Sequence, residues 1–171
     1  MWDKNSSKKS ALMFNMTIPV IERELSGKII NLESQDDNNV AKLLDQKCAI
    51  DGLLIHNKGV YGLAHRVGYN YDWHTFTIRI EDSTSSCTEI DHLKSTGLKP
   101  KYHIQSYIKG DVVLSMAIAK TEDLVDYIEK YSPKIKTCST SGDKFAIIDW
   151  TEFKAVGYKI KILRGNELCL T

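Results

Sequence analysis

This 171-residue chain has no excess of charge of either sign: 23 Lys and Arg stand against 22 Asp and Glu, a formal net charge of +1. No global basic field announces a polyanion as partner, although a local basic face is compatible with that balance. Long apolar runs are missing too. None approaches the roughly 18–20 residues that span a bilayer, so no membrane partner is expected. The opening Met1-Trp2-Asp3-Lys4-Asn5-Ser6-Ser7 is not followed by an apolar stretch with a small-residue cleavage site. A cytoplasmic address with free thiols is therefore the expectation. The cysteines, Cys48, Cys87, Cys138 and Cys169, form no CxxC pair, and zinc sites favour closely spaced ligands. The histidines, His56, His65, His74, His92 and His103, form neither HxH nor HExxH. Also absent are the GxxxxGKS/T and GxGxxG phosphate loops and any nucleophile elbow around the loop serines. These absences argue against P-loop NTPases, Rossmann enzymes and serine hydrolases.

What is present fits one soluble globular domain: 42% hydrophobic and 26% charged residues, in a chain long enough to bury a real core. Apolar residues at Leu12, Met13, Met16, Val20 and Ile21 predict a helical region over Lys8–Leu25. Pro19 interrupts it, giving two helices, or one that starts near Thr17 with Pro19 in its first turn. A short extended piece, Lys28–Leu32, a polar loop over Glu33–Asn39 and a turn or two of helix over Val40–Gln46 follow. From Ile50 the chain turns β-rich. Asp51–Ile55 and Val60–Val67 read as strands around Asn57-Lys58-Gly59, where glycine supplies a positive φ. Thr75–Ile80 alternates, with Phe76, Ile78 and Ile80 on one face and Thr75, Thr77 and Arg79 on the other. Residues 81–99 are a loop or a short helix. Tyr102–Ile108 and Val112–Ala119 form a second hairpin. Thr121, as hydroxyl cap, opens a helix that Pro133 closes. Phe145–Trp150 and Val156–Leu163 are final strands.

Chemistry concentrates in the first hairpin. Asp51 enters one strand, and Ala64-His65-Arg66 lies on the next, about 13 residues later, a sensible hairpin span. This layout resembles the core of the PD-(D/E)XK nuclease superfamily, which places an Asp at the start of one strand and Glu-x-Lys on the next. That family often adds a Glu from a preceding helix. The resemblance covers roughly residues 10–80. It implies a restriction-endonuclease-like fold: α/β, a single domain over 1–171, with a mixed β-sheet flanked by helices. It implies Mg²⁺ held by Asp51 and a helical acid, Glu22 or Glu24, with Arg66 stabilising the phosphate as metal-assisted hydrolysis proceeds. Two positions depart from the pattern. Ala64 offers no oxygen to a metal, and Arg66 stands for Lys, with which it is not interchangeable. Asp45 is a candidate for the missing ligand.

Each residue also has a plainer reading. Asp51-Gly52 can start a strand by bonding backbone, and Arg66 can form a structural pair with Asp51 or Glu22. Glu22, Glu24 and Asp45 can simply face water. His65 points away from Ala64 and Arg66 and so lies outside their site.

Beyond the hairpin, Tyr71 and Trp73 either anchor their loop to the core, the commoner role, or offer faces for base stacking, and Arg79 and Lys101 offer phosphate contacts, with Lys94 and Lys99 nearby in sequence. Gln105 shares a strand face with His103 and Tyr107. If that face and the one bearing Thr75, Thr77 and Arg79 line one cleft, they make a polar groove; if they face water, they are a sheet exterior. The leading expectation is a protein acting on nucleic acid, DNA foremost, by metal-dependent phosphodiester hydrolysis. The alternative is an inactive domain of the same fold that binds DNA or a protein partner.

Overall fold

Pro19 does not end the first helix: Lys4–Leu25 (α1) runs through it. A proline inside a helix removes one hydrogen bond and costs about 3 kcal/mol. Burial of Phe14, Val20 and Ile21 on either side of it offsets that loss, at roughly 1.5–3 kcal/mol per side chain. The Thr17 hydroxyl donates to the Phe14 carbonyl at 2.8 Å within the same turns. The computed structural model describes residues 4–35, 39–85 and 87–168, with side chains from residue 9 onward, position 47 excepted. Positions 36–38 of the expected polar loop, and Cys169, lie outside these.

Lys28–Asn31 (β1), Gly52–His56 (β2) and Gly59–Tyr69 (β3) form an antiparallel meander, with Asn39–Cys48 (α2) between the first two. Gly59, at φ +140°, makes the tight β2–β3 turn possible. Pro100–Lys109 (β5) then pairs parallel to β3, with Ala64 opposite His103 and Arg66 opposite Gln105. Val112–Lys120 (β6) and Ile160–Arg164 (β9) extend the sheet antiparallel. The result is a six-stranded mixed sheet of order β1-β2-β3-β5-β6-β9.

Between β3 and β5 the chain leaves this sheet. Thr75–Glu81 (β4) pairs instead with Lys144–Asp149 (β8), and Lys134–Thr137 (β7) joins the far side of β8. Glu89–Lys94 (α3), Thr121–Tyr131 (α4) and Trp150–Ala155 (α5) complete the layer. The chain is thus a mixed α/β domain whose mixed sheet is flanked by helices, with a second, three-stranded sheet packed on one face.

Two apolar layers hold this together. On one face α1 sets Phe14, Val20 and Ile21 against Leu54, Leu63, Ile104, Met116, Ile118 and Leu163. On the other, Phe76, Ile78, Leu124, Tyr127, Trp150 and Phe153 pack over Tyr107, Ala117 and Ala119. A smaller cluster of Leu32, Ala41 and Ile50 seats α2 against the β2 end of the sheet.

Three local expectations change. Thr121 does not cap α4; Lys120 is the N-cap residue and the Thr121 hydroxyl is buried inside the first turn. Trp150 opens α5 rather than ending a strand, because Asp149 accepts from Thr151 N and Glu152 N and starts a helix there. Strand β9 begins at Ile160, after the turn at Gly157 (φ +100°).

Candidate functional site

Asp51 sits one residue before β2, and the backbone around it is fully committed. Its N–H donates to Leu63 O at 2.8 Å and its carbonyl accepts from Leu32 N at 2.9 Å. The β2–β3 ladder stops at Gly52–Leu63. The carboxylate takes over from there, with Oδ2 accepting from His65 N at 2.6 Å. Backbone bonding is therefore one role of this side chain. Its setting goes further: Asp45 from α2 comes within hydrogen-bonding reach of it, and Glu33 from the turn after β1 adds a nearby negative charge.

These acids line a cavity of about 620 Å³ that Arg66, Arg79 and Glu89 also line. Burial, then repulsion from Glu33, raises the Asp51 pKa well above the usual carboxylate range. Burial raises Asp45 as well. Glu33 is pushed up to about 7, by burial first and then by Asp45, while the Ser10 hydroxyl, donating at 2.9 Å, works against the shift. Glu33 Oε2 is buried and makes no hydrogen bond among the described residues.

A capping box positions Glu89. Thr88 and Asp91 bond each other's backbone at the start of α3 and fix Glu89 as its first residue. Glu89 Oε2 accepts from Arg79 N at 2.9 Å and pairs with the Arg66 guanidinium. Arg79 itself reaches Asp82 at 3.0 Å and Asp143 at 3.7 Å. His103 is fully buried in the cavity lining, its Nδ1 3.9 Å from Glu89 Oε1, and neither ring nitrogen has a hydrogen-bond partner among the described residues. Burial lowers its pKa to about 4, so the ring stays neutral. It is the strand partner of Ala64, the position where the resembled motif carries an acid.

The two polar strand faces form neither an open groove nor a sheet exterior: they bond directly to each other between the two sheets. The Tyr107 hydroxyl donates to Thr75 O at 2.8 Å, and Gln105 Oε1 accepts from Thr77 N at 3.3 Å and from its hydroxyl at 3.1 Å. His65 lies on the opposite face, stacked on Phe14 with ring centroids 4.4 Å apart and with Nε2 3.0 Å from the Ser106 hydroxyl. Burial there lowers its pKa to about 3.

Asp51 and Arg66 thus share one cavity, and Arg79 joins them. Glu22 and Glu24 do not. Glu22 bonds Lys28 Nζ at 3.0 Å and Ile29 N at 2.8 Å, next to the Ile55 end of β2, whereas Asp51 precedes the Gly52 end. Glu24 pairs with Arg23 at 2.8 Å and with Lys161 on β9, at the far edge of the six-stranded sheet. Both acids serve α1 as anchors, and Asp45 and Glu33 stand where a helical acid was expected. Lys101 stays outside the cavity, its ammonium 3.7 Å over the Tyr61 ring. Tyr71, Trp73 and Gln105 line a second cleft that shares Arg66 with the first.

Glu33, Glu89 and His103 were not picked out in the sequence as site residues. The one local signal was Thr88-x-x-Asp91, which marks a helix start and so places Glu89 at its head. Among the described residues, no set of three His, Cys, Asp or Glu side chains is gathered closely enough to hold a metal ion. No helix among them is long and apolar enough to cross a membrane. No family model, curated protein or solved structure matches this chain.

Proposed function

We propose that this protein hydrolyses phosphodiester bonds of nucleic acid in the acidic cavity, with a divalent cation as cofactor. The observation that carries this reading is the pairing of Asp51 with Asp45 in one cavity with Arg66 and Arg79. The reading also draws on the order of elements: a helix, a three-stranded meander with Asp51 at its second strand and Arg66 on its third, then a strand parallel to the third.

The residues fit a hard cation. Two buried carboxylates within hydrogen-bonding reach, with burial, Glu33 and then Asp45 raising the Asp51 pKa, are stabilised by a positive charge. Mg²⁺ is commonly held by one or two carboxylates plus substrate phosphate and water, so a third fixed protein ligand is not required. Asp51 and Asp45 would hold it, with Glu33 beside them. Bound there, the ion would supply Lewis acidity toward a phosphoryl oxygen and make water more acidic. Arg66 and Arg79 bind the phosphate and stabilise the charge that grows on it in the transition state. Glu33 accepts the proton of the attacking water, and the departing oxygen takes a proton from solvent as the P–O bond breaks.

Labelled DNA and RNA, single-stranded and duplex, incubated with Mg²⁺ or Mn²⁺ provide the test. Cleavage by the wild type that falls at least about 100-fold in Asp51→Asn and Asp45→Asn is the expected result. One observation favours a second reading, a non-catalytic binding domain: Arg66 is already paired with Glu89, beside an Ala64 that offers no ligand. Nucleic-acid binding without cleavage under any of these conditions would select it.

A further inference from the structure

We infer that the aromatic cleft beside the acidic cavity receives an unpaired nucleobase, so that the substrate is single-stranded nucleic acid. This rests on the phosphodiester reading of the acidic cavity and adds to it which form of nucleic acid is cut.

The two spaces adjoin. Arg66 and Val67 line both, and Phe145 packs beneath Arg66 and Arg79 with cation-to-ring distances of 5.5 and 5.7 Å. A phosphate at Arg66 therefore has its own nucleoside within reach of the second cleft. That cleft, of about 380 Å³, lies at the small end of ligand sites and has room for a base rather than a helix.

Its lining suits a base. Tyr71 and Trp73 stack on each other at 4.0 Å and 19° yet remain 39% and 48% exposed, where aromatics that merely anchored the loop would be buried. Lys136 lies over a face of Trp73, its ammonium 4.3 Å from the ring centroid. Lys136 belongs to β7, an edge strand with all four residues exposed, so its flexible side chain can yield that face. A base takes its place on the indole, and the displaced ammonium is free to pair with a backbone phosphate. Polar recognition comes from the cleft floor. Gln105 is 2% exposed and its Oε1 is held by Thr77, while its amide nitrogen makes no bond among the described residues and can donate to a base carbonyl. A base inside a duplex is stacked on both faces and paired at its edge, so it cannot meet these groups without leaving the helix.

The test is binding by the full chain in EDTA, which separates recognition from cleavage. Fluorescein-labelled single-stranded oligodeoxynucleotide and its matched duplex are titrated with wild type, Trp73→Ala, Trp73→Phe and Asp51→Asn, with anisotropy as readout. Wild type is expected to prefer the single strand about tenfold, Trp73→Ala to lose about tenfold on that strand only, and Trp73→Phe to keep most of the affinity. Unlabelled single strand is also expected to quench wild-type tryptophan fluorescence more than that of Trp73→Phe. Asp51→Asn should bind normally, so loss of cleavage in that variant reports on the acidic cavity alone. Equal affinity for both forms, preference for duplex, or unchanged binding by Trp73→Ala overturns the inference. Cleavage confined to duplex would overturn it while leaving the phosphodiester reading intact.

Discussion

Replacing Glu33 by Gln should stabilise the protein, and by an amount that grows with pH. Glu33 has a folded pKa of about 7 against an ordinary 4.5, because burial and the Asp45 charge oppose its ionisation. Below pH 4.5 both folded and unfolded forms are protonated and the wild type loses nothing. Between 4.5 and 7 the unfolded chain ionises first, so folding stability falls as pH rises; above 7 the loss is constant. The shift corresponds to about 3 kcal/mol at pH 8 and about 1 kcal/mol at pH 5. Gln keeps an oxygen for the Ser10 hydroxyl and puts a donor in place of the unpartnered Oε2. For a chain of this size the gain at pH 8 is worth roughly 6–12 °C in Tm. Thermal unfolding of both proteins at pH 5 and pH 8, without divalent cations, measures it. Parallel pH profiles, or a less stable Glu33→Gln at pH 8, would refute the reasoning. Added Mg²⁺ should raise the wild-type Tm at pH 8 more than that of the variant, since the ion offsets the same repulsion.

Gly68→Ala should destabilise by about 1–3 kcal/mol in urea unfolding, because its Cβ would lie 2.4 Å from Tyr107 Cδ1 and 2.8 Å from Tyr71 Cε2, displacing the wall of the aromatic cleft. Arg66→Met leaves the Glu89 carboxylate half-buried with Arg79 N as its remaining close donor; about 2 kcal/mol of stability should be lost along with cleavage, and a lower urea midpoint reports the first. Buried His103, at about 4, and His65, at about 3, stay neutral in the fold but take up protons once unfolded below pH 6.5. Their contribution is therefore complete above pH 6.5 and is lost as pH falls toward 4, so His103→Gln should flatten the acid limb of a Tm-versus-pH curve.

The β2–β3 hairpin was legible because glycine at the turn and alternating apolar residues are local signals, and through it Asp51 and Arg66 were placed together. Asp45 was marked as a spare acid through the resemblance alone, because ligand acids migrate within that superfamily. Glu22 and Glu24 misled because a helical carboxylate looks the same whether it faces a site or a strand end; only the packing angle of α1 sends them to Lys28 and Lys161. Glu33, His103 and Glu89 reach the cavity from a turn, from β5 and from α3, so nothing local announces their meeting. The second sheet was hidden differently. β4 and β8 were read as strands, but which strands pair is a tertiary fact, and β7 (Lys-Ile-Lys-Thr) has four exposed residues and no buried face to leave a pattern. Pro19 was read as a break because its local cost is visible in sequence, whereas the burial that offsets it is not.

The most direct test of the metal-assisted reading is anomalous diffraction from crystals of the wild type soaked in Mn²⁺. A peak between the carboxylates of Asp51 and Asp45, facing Arg66, is the expected result. A cavity without a peak, or Mn²⁺ bound only elsewhere on the surface, would contradict it.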